Sequence, residues 1–87
     1  MRTIREEPEY SQSIESLRIN YRRLDEALGR MAEAICNHPE KFPAYLGFRL
    51  HRIKLVDYPG VPNLSIFFTY DDDYVYLVSA DLIPEEE

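Results

Sequence analysis

Four ionisable side chains that could hold an anion lie close together on a segment predicted to be a strand. They are Arg49, His51, Arg52 and Lys54. Guanidinium and ammonium groups form charge-assisted hydrogen bonds with phosphate oxygens, and an imidazole can transfer protons near neutral pH. On a strand Arg52 and Lys54 share one face, and the other two side chains point to the opposite face unless a bulge realigns them. The candidate phosphate-binding or RNA-binding residues are therefore Arg49, Arg52 and Lys54.

The same basic residues also have an explanation that needs no ligand. Charged side chains on an edge strand keep it from pairing with other chains, and we prefer this interpretation for them. Three arginines near the predicted helix junction, Arg18, Arg22 and Arg23, could extend a basic patch. Opposite charges at helical spacing, such as Arg22 and Glu26, instead indicate a solvent-exposed helix face with ion pairs along it.

Residues that could bind metals or cofactors lack the spacing that such sites need. Asp71, Asp72 and Asp73 are adjacent in a predicted turn without the spaced acidic partners of a calcium or magnesium site, so turn chemistry is favoured. Cys36 and His38 have no second pair at zinc-ligand spacing. The sequence contains no glycine-rich phosphate loop and no nucleophile elbow. We expect no metal and no cofactor.

The size and composition of the chain indicate one globular domain, residues 1–87. Of its 87 residues, 45% are hydrophobic and 30% are charged. A domain of this size leaves little chain for a large active site built from many parts. The single cysteine excludes an internal disulfide framework and fits a reducing compartment. Because the sequence has no long apolar run and no signal core, we expect a cytoplasmic protein without membrane contact.

Charge is distributed unevenly along the chain, whose formal net charge is -6. Residues 1–56 carry all ten basic side chains and eight acidic ones, whereas residues 57–87 carry eight acidic side chains and no Lys or Arg. We expect the C-terminal third to repel nucleic acid. Tyr74 and Tyr76 have no basic residues interleaved on the last strands, so we interpret them as half-buried sheet positions instead of a base-stacking surface.

The helices are predicted from apolar periodicity. A first helix begins at Pro8, where the missing N–H of proline costs nothing. A stripe at three- and four-residue spacing predicts a second helix, and so small a domain offers too little protein to pack against one long helix, which favours a helical hairpin. The stripe consists of Tyr21, Leu24, Leu28, Met31 and Ile35.

Strands are predicted on both sides of the helical hairpin. A short strand at residues 2–5 precedes it, and a strand at 48–56, with a bulge near His51 or Arg52, follows it. Residues 64–70 and 74–80 are rich in β-branched and aromatic residues and form a hairpin. The fold class is α+β: an N-terminal short strand and a helical hairpin packed on a mainly antiparallel sheet of three to four strands.

Five segments carry a resemblance to a known protein family. They are Pro8-Glu9-Tyr10 and residues 35–39, 47–55, 64–70 and 75–78, and they are spread over nearly the whole chain. In their order and apolar pattern they resemble the RelE/ParE superfamily of small bacterial toxins from toxin–antitoxin pairs. The resemblance implies a strand, a helical hairpin and a curved antiparallel sheet. It also implies either ribosome-dependent mRNA cleavage, assisted by basic, tyrosine or histidine side chains, or an action on gyrase.

The chain departs from the ribonucleases of this superfamily where those proteins carry cations. Ser65 stands where they tend to place an arginine, and residues 81–87 are largely acidic where they carry basic and aromatic residues. Only Arg52 and Lys54 match the usual basic positions on the preceding strand. Cleavage of a phosphodiester builds negative charge that cationic donors must stabilise, and Asp81 without a convergent cation is a weak basis for it.

We therefore expect a toxin-like domain that binds protein, either an antitoxin-like partner or a second copy of itself, with ribonuclease activity weak or lost. One alternative is an active mRNA interferase that contacts phosphate through Arg49, Arg52 and Lys54, with a tyrosine or His51 assisting proton transfer. A second alternative is a ParE-like inhibitor of gyrase. A nucleic-acid partner is disfavoured by the acidic C-terminal third.

Overall fold

The computed structural model describes residues 2–42, 44 and 50–84. In chain order these residues form a short strand β1 (Thr3–Glu6), helices α1 (Pro8–Arg18) and α2 (Leu24–Asn37), a 3₁₀ turn (Pro39–Lys41), and strands β2 (His51–Leu55), β3 (Leu64–Tyr70) and β4 (Tyr74–Leu82). Two helices pack on a four-stranded, mainly antiparallel sheet. The predicted α+β fold is confirmed.

The strands lie in the order β1-β4-β3-β2. Strand β3 pairs antiparallel with both β4 and β2, whereas β1 runs parallel to β4, from Thr3 opposite Tyr74 to Glu6 opposite Leu77. Parallel neighbours cannot be joined by a tight turn. The helical hairpin and the two following strands supply the long connection here, so the N-terminal segment is a full member of the sheet, with β1 and β2 as its two outer strands.

The helices begin and end close to the predicted positions. Pro8 and Glu9 lie in the first turn of α1, where proline needs no hydrogen-bond partner and a carboxylate meets the positive end of the helix dipole. The chain leaves the helical path after Arg18, and α2 begins at Leu24. Tyr21, expected to lie within the second helix, instead lies in the connection, where its half-buried ring packs against the core.

A register shift occurs in the sheet, but not where the sequence suggested. All described pairs of β2, from His51 opposite Phe68 to Leu55 opposite Leu64, keep a continuous register, so the expected bulge near His51 or Arg52 is absent from them. The shift lies between β3 and β4, where Phe67 faces Ser79 and Phe68 faces Leu77. The extra residue is Val78. Because of this extra residue, β4 buries Val75 and Leu77 before the shift and the even-numbered Ala80 after it.

The core lies between the helices and one face of the sheet. Its sheet side consists of Leu64, Ile66, Phe68, Val75, Leu77 and Ala80, and its helix side of Tyr10, Ile14, Leu24, Leu28, Met31, Ile35 and Cys36. Leu24, Ile66 and Phe68 are completely buried. Within the described part of the chain, neither helix is both long and apolar enough to cross a membrane.

Candidate binding surface on the open face of the sheet

The face of the sheet opposite the helices carries the polar and aromatic side chains that could contact a ligand. Directly paired residues project their side chains to the same face, so the register assigns each position. We call this surface the open face. It consists of Arg5, Arg52, Lys54, Ser65, Phe67, Thr69, Tyr74, Tyr76, Ser79 and Asp81.

Two of the three predicted RNA contacts lie together on the open face. Arg52 pairs with Phe67 and Lys54 pairs with Ser65 on the neighbouring strand. The third, Arg49, lies outside the described residues, so its position relative to the other two stays a prediction. The predicted sharing of a face by Arg52 and Lys54 is confirmed.

The guanidinium of Arg52 is engaged inside the protein. Its Nε and Nη2 lie 3.1 and 2.8 Å from Ser65 Oγ, and both donate to that hydroxyl. The charged carbon lies 5.9 Å from the centre of the Phe67 ring, a cation–π distance. Ser65 is only 4% exposed, because the arginine lies over it. Ser65 occupies the position where the resemblance leads us to expect an arginine. It thus binds Arg52 of the neighbouring strand.

A carboxylate lies in the same row of the open face as the lysine. Ser65 faces Lys54 on one side and Asp81 on the other, so the row reads Lys54, Ser65, Asp81 across three strands. Asp81 and Lys54 are both exposed. An anion approaching this row meets a fixed negative charge two strands from the ammonium group, which weakens the local attraction for phosphate.

The predicted proton-transfer group lies on the other face of the sheet. His51 pairs with Phe68, and the two rings stack with centroids 5.4 Å apart on the core side. Its Nδ1 lies 2.9 Å from the carbonyl oxygen of Phe42. A carbonyl only accepts, so Nδ1 carries the hydrogen. The sheet therefore separates the imidazole from Arg52 and Lys54, and the structure does not assemble these residues into one site.

A second group of cationic and aromatic side chains on the open face was missed at the level of sequence. Arg5 on β1 stacks over Tyr74 on β4, with 4.4 Å between the guanidinium carbon and the ring centre. Tyr74 raises the pKa of Arg5 through a hydrogen bond. The rings of Tyr74 and Tyr76 lie 5.9 Å apart. The interpretation of Tyr74 and Tyr76 as half-buried sheet positions is confirmed, and the cation beside them comes from a strand at the opposite end of the chain.

The aspartate-rich turn between β3 and β4 behaves as turn chemistry predicts. Asp71 Oδ1 accepts hydrogen bonds from the backbone N–H groups of Asp73 and Tyr74 at 2.8 and 2.7 Å, and these bonds lower the pKa of Asp71. Asp71 Oδ2 accepts the hydroxyl of Tyr76 at 3.0 Å, which raises the pKa of that tyrosine. Across the described ranges, no three His, Cys, Asp or Glu side chains are grouped closely enough to hold a metal ion.

The arginines near the helix junction lie mostly in ion pairs. Arg18 bonds Asp25 at 2.8 Å, and Arg23 bonds Glu26 at 3.2 Å. Both pairs are about half exposed. Ion pairs near the helix junction are thus present as expected, but Glu26 pairs with Arg23 instead of the predicted Arg22, which lies before the start of α2. These pairs contribute no side chain to the open face.

Comparison with known proteins adds no assignment. No protein-family model matches the chain, and a search of curated proteins found no significant similarity.

Proposed function

We propose that this chain is a RelE/ParE-like, toxin-type domain that acts by binding protein, an antitoxin-like partner or a second copy, with ribonuclease activity weak or lost. One observation carries the proposal. On the open face, Arg52 donates to Ser65 and Lys54 shares its row with Asp81, while His51 lies behind the sheet.

The arrangement lacks what phosphodiester cleavage needs. The transition state requires cationic donors aimed at the developing charge and an acid or base within about 3 Å of the proton it moves. Arg52 has two donors occupied by a serine, and the only imidazole on β2 is on the wrong face. Protein binding makes no such demand, and the order of strand, helical hairpin and three strands agrees with the scaffold that the resemblance implies.

The proposal is tested by adding the purified chain to translating ribosomes and following a reporter mRNA. We expect the mRNA to remain as intact as in a reaction without the protein. Efficient cutting that is lost on Arg52→Ala or Lys54→Ala would overturn the proposal. Arg30→Ala is the matched control, since Arg30 is an exposed arginine on α2, away from the open face.

A second candidate is an active mRNA interferase, and the Arg5–Tyr74 stack favours it. Aromatic rings stack on bases, and a nearby arginine can contact the adjoining phosphate. Arg5 is exposed and lies 4.4 Å from the Tyr74 ring, beside Tyr76. The ribosome experiment separates the candidates, because only the interferase predicts cutting. If cutting occurs, Arg5→Ala tests whether this stack takes part.

A further inference from the structure

A crevice of about 250 Å³ opens between β1, α1 and α2, on the side of the molecule away from the open face. Ile4, Ile14, Leu28 and Leu77 give it an apolar lining. We call it the helical crevice. The usual pocket for a drug-sized ligand or cofactor measures roughly 300–1,000 Å³. The helical crevice is smaller, and its size suits a side chain from another protein.

The side chain of Tyr10 lines the helical crevice. The residue is 2% exposed, and among the residues that the structure describes its hydroxyl forms no hydrogen bond. Every fully buried polar side-chain atom in the described residues has a hydrogen-bond partner. Because the Tyr10 hydroxyl has none, it must be the part of Tyr10 that reaches the surface. Burial raises the pKa of Tyr10, and the Glu6 carboxylate raises it further, so the hydroxyl stays protonated. The hydroxyl is therefore accessible to a hydrogen-bonding group that enters the helical crevice.

Gly29 leaves the backbone of α2 open at the wall of the helical crevice. A Cβ added there would meet nothing within 4 Å, so packing within the protein does not require glycine. Glycine is among the least favourable residues in a helix interior. The open space beside Gly29 leaves the α2 backbone accessible to an external group.

The ionisable groups around the helical crevice are more acidic than basic. Its lining includes the carboxylates of Glu6 and Asp25 and the guanidinium of Arg18. Arg18 and Asp25 pair with each other at 2.8 Å. Glu6 accepts one hydrogen bond, from Ser11 Oγ at 2.9 Å. Among the described residues Glu6 forms no ion pair, although Arg18 interacts with it electrostatically at longer range, so its carboxylate can receive a closer cation.

We propose that the helical crevice receives one basic side chain, arginine or lysine, from a protein partner. The apolar stem lies against Ile14 and Leu28, the charged end pairs with Glu6, and a donor on that end bonds the Tyr10 hydroxyl. The proposal rests on the protein-binding function above and adds the chemistry of the partner to it.

The test uses the full chain and small probes observed by NMR. The probes are N-acetyl-arginine methylamide and N-acetyl-lysine methylamide, with the matched leucine and glutamate compounds as controls. We expect a basic probe to shift the amide resonances of Gly29 and its neighbours with saturation, and the leucine and glutamate compounds to leave them unchanged. Equal shifts with all the probes, or none with a basic probe, would overturn the proposal.

Variants then locate the binding. Tyr10→Phe removes only the hydroxyl and should weaken binding of the basic probe about three- to tenfold, the usual range for one hydrogen bond. Gly29→Met adds a side chain at the wall of the helical crevice, where a Cβ meets no neighbour, and should abolish binding, whereas Ala34→Met, on an exposed position of α2, should leave it unchanged. Unaltered binding in Gly29→Met contradicts the location even if Tyr10→Phe fails to fold.

The outcomes for this site and for the proposed function are distinguishable. If the chain binds a basic probe and also cuts mRNA, the proposed site in the helical crevice is supported and the proposed protein-binding function is rejected. A partner captured equally well by wild type and by Gly29→Met would support the function and reject the helical crevice as the place where that partner docks.

Discussion

At the scale of single residues, the neighbours of a charged group decide what it can do. Arg52 is a natural phosphate ligand by its chemistry, but Ser65 Oγ accepts two of its N–H groups. His51 is a natural proton-transfer group, but it lies on the core side against Phe68. The sequence could give the types of these residues. It could not give their partners, because Arg52 and Ser65 meet only once β2 and β3 pair in one register.

Asp71 provides a residue-scale prediction about acid stability. Its pKa lies below the ordinary 3.8 because the backbone N–H groups of Tyr74 and Asp73 stabilise the carboxylate. A carboxylate with a lowered folded-state pKa contributes stability above its unfolded pKa and loses it as the pH falls through the folded value. We expect Asp71→Asn to lower the free energy of unfolding at pH 7, and to lower it less at an acidic pH below the ordinary value of 3.8. Urea unfolding at both pH values measures this.

The control is Asp72→Asn in the same turn. Asp72 is exposed, and within the described part of the chain its side chain forms no hydrogen bond. Its substitution should change stability little at either pH. If Asp71→Asn and Asp72→Asn behave alike, the hydrogen bonds to Asp71 do not stabilise the turn.

At the scale of helices and strands, the sequence pattern predicted those features that depend on residues close together in the chain. The limits of β3 and the apolar stripe of α2 followed from alternation and helical spacing. The pairing of β1 with β4 did not, because Arg5 and Tyr76 are far apart in sequence and only the closed sheet makes them neighbours. The bulge was expected on β2 but lies at Val78, since the phase change in β4 is visible only against its paired strand.

At the element scale, replacing each of two glycines with alanine is expected to change stability in opposite directions. Gly60 has φ +79°, and a Cβ there would lie 3.3 Å from Arg23 Cδ, so Gly60→Ala should destabilise the loop between β2 and β3 by about 1 kcal/mol or more. Gly29 lies in a helix with open space around it, so Gly29→Ala should stabilise α2 by up to about 1 kcal/mol. For a domain of this size each change corresponds to about 4–8 °C in Tm by calorimetry. A shift of the same sign in both variants would contradict the backbone argument.

At the scale of the whole molecule, folding redistributes charge in a way that the linear sequence hides. The chain has net charge -6, with no basic residue after Lys54. The open face nevertheless collects Arg5, Arg52 and Lys54 around residues of β3 and β4, with Asp81 among them. The expected repulsion of nucleic acid by the C-terminal third stays a prediction, and the affinity of the open face for RNA depends on how its cations are paired.

The core provides a whole-molecule prediction of stability. Leu24 is completely buried at the start of α2, where both helices and the sheet depend on it for packing. Leu24→Ala should cost about 2–5 kcal/mol. Small domains have roughly 5–15 kcal/mol in total, so the variant should unfold at clearly lower urea concentration in one cooperative step. Ile19→Ala, at a position 84% exposed, is the control and should leave the midpoint nearly unchanged.

The central claim is that the open face has low affinity for RNA, and one titration tests it most directly. A fluorescently labelled single-stranded RNA is titrated at low salt with the wild-type chain and with Arg52→Ala, and its anisotropy is followed. We expect both proteins to bind weakly and alike, because Arg52 is already engaged by Ser65. Tight binding by the wild type that weakens steeply with salt and disappears in Arg52→Ala would contradict the account.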